Sequence, residues 1–107
     1  MTYEPEDAYP NIANKAVKLM LKDKSNKGIF ICGSGVGISM VANRHKGIRC
    51  VLAYTTQLAE MARKHNDANV LALGGRYISK VMALKIIKAF LSTDFEGGRH
   101  ISRIEMF

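Results

Sequence analysis

The chain has no tryptophan, and only four tyrosines and four phenylalanines stand among its 107 residues. That is too few aromatics for the stacking platforms on which single-stranded nucleic acids are held, so a nucleic-acid partner is not expected. Two prolines leave no proline-rich linker, and no repeat or low-complexity tract interrupts the sequence. No apolar run approaches the roughly 20 residues that cross a bilayer. The opening, Met1-Thr2-Tyr3-Glu4-Pro5-Glu6-Asp7, is acidic where a secretory signal would be basic and then hydrophobic. A cytoplasmic protein with no membrane partner is expected. Cysteine is also scarce. Cys32 and Cys50 form no Cys-x-x-Cys pair and have no histidines at ligand spacing, which argues against a zinc site and a secreted disulfide framework. Both should be reduced thiols, with no metal bound. Acidic residues number 9 against 16 basic ones, a net charge of +7. This admits anionic partners without choosing among phosphorylated metabolites, nucleic acid and simple solubility.

What is present is enough for one core: 48% of the residues are hydrophobic, so residues 1–107 read as a single domain. Ile12, Ala13, Ala16, Val17, Met20 and Leu21 repeat at helical spacing between Asn11 and Asp23, behind Pro10 as a start signal. A strand is predicted at Gly28 to Cys32, a helix from Val36 to His45 stopped by Gly47, and a strand from Ile48 to Ala53. Thr55 or Thr56 caps the next helix, which carries Leu58, Ala59 and Ala62 inward, pairs Glu60 with Lys64 and ends near Lys64. Asn69 to Leu73 is a third strand, Gly74-Gly75 a turn, and Ile78 to Leu91 a helix with Val81, Leu84, Ile87 and Leu91 inward. Alternating β and α units with near-continuous apolar strands predict an α/β, Rossmann-like, doubly wound parallel sheet with helices on both faces. Ligands gather at the carboxyl ends of such strands, so Cys32, Tyr54 and Gly74-Gly75 should share one functional rim. The chain opens on a helix with no strand before it, which leaves a sheet edge bare.

The run Ile31-Cys32-Gly33-Ser34-Gly35-Val36-Gly37-Ile38-Ser39 delivers a cysteine from a strand into a glycine-rich turn at a helix start. Glycines allow positive φ and close backbone approach, so successive amides can converge on an anionic oxygen. The same field favours thiolate over thiol at Cys32, making it a candidate base or nucleophile. Ser34 can hydrogen-bond an oxyanion or cap the following helix. Cys50, inside an apolar strand, reads as core. His65, followed by Asn66-Asp67 in the loop before the third strand, is a general acid or a helix-end residue favoured by the dipole. His45 and His100 receive no role. Lys15, Lys18, Lys22, Lys24 and Lys27 read as a solvated face, whereas Arg99 and Arg103, four apart after Gly97-Gly98, would grip one phosphate if helical.

The Cys32 run, Ala42-Asn43, Gly47-Ile48-Arg49, His65-Asn66-Asp67-Ala68-Asn69-Val70-Leu71 and Phe95-Glu96-Gly97-Gly98-Arg99-His100 together resemble type B ribose-5-phosphate isomerases, in order and through most of the chain. The resemblance implies a cofactor-free aldose–ketose isomerase of the pentose phosphate pathway. In it Cys32 moves a proton between adjacent carbons, with Gly33, Ser34, Gly35, Val36 and Gly37 around the oxygen. His65 matches the ring-opening acid, Asn66 and Arg76 match substrate contacts, and Arg99 and Arg103 match a phosphate clamp. It also implies a homodimer or homotetramer with shared sites, the equivalents of His65, Asn66 and Arg76 coming from the neighbour. Tyr9-Pro10 resembles the start of the family's second helix. The strand ending in Asp-His, the helix and the second strand that open the family's sequences have no counterpart before Tyr9, so the domain is expected to be partial and N-terminally truncated. An inactive isomerase fragment and a galactose-6-phosphate isomerase subunit are the nearest alternatives. A phosphocysteine carrier of a sugar phosphotransferase system shares the Cys-Gly-x-Gly-x-Gly look, but leaves the His65 block and the arginine tail unexplained. A Cys-x5-Arg phosphatase is excluded by Ile38.

Overall fold

The computed structural model describes residues 8–107, and the acidic opening at residues 1–7 lies outside the described residues. The elements run α1 (Tyr9–Met20), β1 (Gly28–Cys32), α2 (Val36–Asn43), β2 (Cys50–Leu52), α3 (Thr56–Asn66), β3 (Val70–Gly74), α4 (Lys80–Ser92) and α5 (His100–Ile104). All strand pairs are parallel, in the order β1-β3-β2, with Cys32 opposite Gly74 and both Gly28 and Cys50 opposite Val70. The central strand β3 is buried along its whole length, and its alternating side chains feed two cores. Val70 and Ala72 meet Ala13, Val17, Ile38 and Ala42 of α1 and α2. Leu71 and Leu73 meet Ala59, Ala62, Ile86 and Phe90 of α3 and α4. Helices thus cover both faces of the sheet, the doubly wound arrangement that the alternation of elements predicts.

Local chemistry fixes the helix starts. Pro10 occupies the first turn of α1, where its missing N–H leaves no bond unmade. Thr55 is the cap of α3, its Oγ1 accepting from the Leu58 N–H at 3.1 Å, and Ser79 Oγ does the same for Met82 at the head of α4. Helix α3 runs on to Asn66 and ends at Asp67, which adopts φ 46° as a left-handed cap. His65 therefore lies in the last turn of the helix and not in the following loop. Glu60 and Lys64 do not pair within the described residues.

The inward stripes need correction. In α4 the buried side chains are Ile86 and Phe90, whereas Val81, Leu84 and Leu91 are 64%, 59% and 51% exposed. Apolar residues surround most of this helix, so periodicity alone cannot choose the face. The choice is made by docking against α3 and β3. Ile12, Leu21 and Leu58 likewise face outward, while Ala13, Val17 and Met20 form the buried stripe of α1. Strand β2 is shorter than Ile48–Ala53 because Ile48 still belongs to a turn, its N–H donating to the His45 carbonyl. Both sheet edges are managed differently. The Asn43 side-chain amide accepts from the Cys50 N–H at 2.7 Å and donates to the Cys50 carbonyl at 3.0 Å, taking the place of a neighbouring strand. Beside β1 no strand stands among the described residues, and Ile31 is 59% exposed there.

Candidate active site

Cys32 ends β1 at the carboxyl rim of the sheet, half-buried, and a free thiol. The following loop is pinned to the turn after β3: the Gly75 N–H donates to the Cys32 carbonyl at 2.8 Å and the Arg76 N–H to the Gly33 carbonyl at 3.0 Å. Gly35 holds φ 80° at the start of α2, and its N–H donates to Cys32 Sγ at 3.1 Å. A side chain there would meet Leu52 and the β3 backbone, including Gly74 N at 3.1 Å. Only glycine combines that φ with that space. Gly74 is equally confined, since a Cβ on it would collide with the Ser34 carbonyl, to which the Tyr54 hydroxyl donates a short hydrogen bond.

Two of the amides expected to face a ligand oxygen are engaged within the loop. The Gly35 N–H points at the sulfur, and the Val36 N–H donates to Ser34 Oγ at 3.2 Å in a local turn, while Gly35 itself is the cap of α2. Gly33 leaves room for Arg76, whose Cζ would lie 3.1 Å from a Cβ at that position. The Tyr9 hydroxyl covers Gly37 in the same way, and Tyr77 meets Tyr54 edge-on at 6.3 Å. Sequence reasoning gave neither Tyr9 nor Tyr77 a place beside Cys32. No spacing rule joins α1 or the β3–α4 turn to that loop.

The other predicted residues gather at the opposite end of the sheet. His65 and Asn66 end α3 three residues before β3 begins. The tail is tied to them: the Glu96 N–H donates to the Lys64 carbonyl at 3.1 Å, and the His100 ring stacks on His65 with centroids 4.5 Å apart and planes 18° from parallel. His65 Nε2 stands 3.6 Å from Glu96 Oε1. Helix α5 is formed, so Arg99 at its cap and Arg103 lie four apart and exposed, as a shared grip requires. Five residues of β3, about 13 Å of strand, separate this end from the Cys32 rim. Within one chain the structure therefore gathers the expected residues into two groups, two candidate half-sites. Cys32, the glycine loop, Ser34 and Arg76 form one, and His65, Asn66, Arg99 and Arg103 form the other. Arg76, grouped with His65 by resemblance, sits on the Cys32 side of its own chain.

Burial, followed by the positive charges of His65, Arg99 and Arg103, holds the His100 imidazole below the ordinary histidine range, against the pull of Glu96. Burial pushes the Cys50 thiol up to about 12, a backbone hydrogen bond to Ala72 notwithstanding, in keeping with a packing role. His65, Glu96 and His100 bring three ligand-type atoms within 4.8 Å of one another. Their rings lie face to face, however, so the nitrogen lone pairs run side by side instead of converging on a point about 2.0 Å from each, as a metal requires.

The ribose/galactose isomerase family model matches residues 1–107. Ribose-5-phosphate isomerase B of Escherichia coli is 42% identical over 97 residues, covering 91% of this chain and 65% of that protein. The crystal structure of a Thermotoga maritima ribose 5-phosphate isomerase is 45% identical and superposes with a TM-score of 0.90, covering 99% of this chain and 74% of that one. A Mycoplasma genitalium ribose-5-phosphate isomerase B, solved with ribulose-5-phosphate bound, has a TM-score of 0.90 at 39% identity, covering 98% and 70%. The chain spans 64% to 66% of the length of three curated relatives. With the fold, the cysteine loop and the sequence match in agreement, this chain belongs to the ribose/galactose isomerase family.

Proposed function

We propose that the chain is a partial sugar-phosphate isomerase domain that interconverts ribose 5-phosphate and ribulose 5-phosphate, with sites shared between two or four copies in the cytoplasm. The observation that carries this reading is the Gly35 N–H aimed at Cys32 Sγ at the head of α2, with the Arg76 guanidinium over the adjoining Gly33. A donor and a helix start directed at sulfur stabilise negative charge on it, which a carbon-acid base needs.

The chemistry follows. The Cys32 thiolate takes the proton from C2 of the open-chain aldose, and the electron pair moves to O1 as the enediolate forms. A proton passes from O2 to O1, the C2 carbonyl forms, and the Cys32 thiol returns its proton to C1. Atoms and electrons balance without a redox partner. Amides of the loop that are not turned inward toward sulfur or Ser34 Oγ face the developing charge. His65 of one copy donates the proton that opens the furanose ring, Asn66 holds a hydroxyl, and Arg99 with Arg103 bind the phosphate.

Substitution of Cys32 by Ala, followed by NMR of ribose 5-phosphate turnover, tests this reading. The loss expected for removing a general base is about 10²- to 10⁴-fold, with the melting transition nearly unmoved. Cys50→Ala should lower stability through packing and retain turnover. Equal loss of activity in two folded variants contradicts the assignment. Stable phosphorylation of Cys32 by a phosphohistidine donor, without isomerisation, would establish the carrier reading instead.

A further inference from the structure

His100 is the buried polar residue at the amino-end half-site that no step above uses. This first residue of α5 is 9% exposed, and its ring stacks on His65 at 4.5 Å and 18°. The stack is anchored from both sides. Helix α3 ends in a left-handed cap at Asp67, held by buried Arg63, whose Nη1 donates to Asp67 Oδ1 at 2.8 Å. The tail is tied by the Glu96 N–H to the Lys64 carbonyl, and by the His100 N–H to the Gly97 carbonyl at 3.2 Å. These links hold the two backbones at the separation the stack needs.

We infer that His100 is a positioning residue for His65: its ring, stacked face to face, fixes the plane of the His65 imidazole. This deepens the isomerase reading and rests on it. The two rings also differ in the charged groups that face them. His100 is buried and has Arg99 and Arg103 on its own helix, both repelling a proton there. His65 is half-exposed, belongs to the same helix as Arg63 and Lys64, and has the Glu96 carboxylate 3.6 Å from Nε2. The outer ring is the one a sugar can reach, and a missing His100 would free its plane.

The test combines a substrate split with a spectroscopic signature on the 107-residue chain, using His100→Ala and His100→Phe. Ribose 5-phosphate must be ring-opened, whereas erythrose 4-phosphate cannot close a furanose ring because its O4 is esterified. His100→Ala should lose about tenfold or more in kcat on ribose 5-phosphate and no more than about twofold on erythrose 4-phosphate, the scale of a misplaced general acid. His100→Phe, which keeps a flat ring, should restore most of the loss at neutral pH. By proton NMR, the His65 Cε1–H resonance should show the ring-current displacement of the stack in the native chain and in His100→Phe, and lose it in His100→Ala. Equal losses on both substrates, or a His65 resonance unmoved in His100→Ala, would overturn the inference. If His100→Ala fails to fold, His100→Leu, which fills the space without a flat ring, takes its place under the same two criteria. Failure of the unsubstituted chain to turn over either substrate counts against the isomerase reading, and the NMR result then decides the role of His100 alone.

Discussion

Arg63 is a charged side chain in the interior, 5% exposed, and its replacement by Met should be among the most damaging single changes in the chain. Its Nε donates to the Thr93 carbonyl at 2.9 Å, and its Nη1 donates to the Ala68 carbonyl at 2.7 Å and to Asp67 Oδ1 at 2.8 Å. The guanidinium carbon also lies 5.9 Å from the centre of the Phe90 ring. One side chain thereby joins the end of α3, the approach to β3 and the end of α4. Methionine matches the stem in volume, so the cavity contribution is small and the loss is polar. Two carbonyls lose a charged donor, at about 1–3 kcal/mol each when water cannot substitute. The Asp67 ion pair is discounted because that carboxylate is 36% exposed and keeps Arg49 at 3.3 Å. The sum is about 3 kcal/mol. For a domain of this size that lowers Tm by roughly 12–20 °C. Thermal unfolding followed by far-UV circular dichroism measures it. A Tm within about 4 °C of the parent would refute the idea that this arginine holds the half-site's scaffold.

Other expectations can be checked with simple variants. Gly35→Ala demands a left-handed alanine, at about 1–2 kcal/mol, and a Cβ packed on Leu52 and the β3 backbone, so urea denaturation should show a loss of about 3 kcal/mol or more. Asn43→Ala uncaps the exposed outer edge of β2 and should cost about 1–2 kcal/mol while increasing concentration-dependent association by light scattering. His100 has its folded pKa lowered, so its contribution to stability is present above the ordinary histidine value of 6.5 and is lost as pH falls through the folded value. Acid titration of Tm should therefore show a fall below pH 6.5 that His100→Phe lacks. Cys50 has its pKa raised from 9.0 to about 12, so stability falls between those pH values, and iodoacetamide at pH 8 should label Cys32 first in the folded chain.

Much of this molecule was legible because its signals are local. The strand-glycine-helix run at Cys32 announces a parallel βα unit by itself, and Thr55 declares the start of α3. The arginine spacing in the tail needed only a helix to put both side chains on one face. What stayed hidden depends on contacts distant in sequence. The buried face of α4 is chosen by α3 and β3, and Asn43 becomes an edge cap only because β2 stops beside it. The His65–His100 stack joins residues 35 apart, a contact that no local pattern signals. The rim formed by Cys32, Tyr54 and Gly74 follows from topology. The placement of His65 and Arg103 at the far end follows from the same topology, once the tail is seen to fold back on α3.

That two-ended layout makes the strongest demand on assembly. If Cys32 of one copy works with His65 of another, two dead variants can complement each other. In a heterodimer of Cys32→Ala with His65→Asn, one site carries both substitutions and the other carries neither. Random reassortment makes half of the dimers mixed, so about a quarter of all sites should recover native turnover of ribose 5-phosphate. The two variants are unfolded together, refolded and assayed against each refolded alone. Recovery near that fraction means that the catalytic sulfur and the acid come from different chains. Activity no greater than the sum of the separate variants means that both act from one chain, which would require the tail and the end of α3 to move some 13 Å along the sheet.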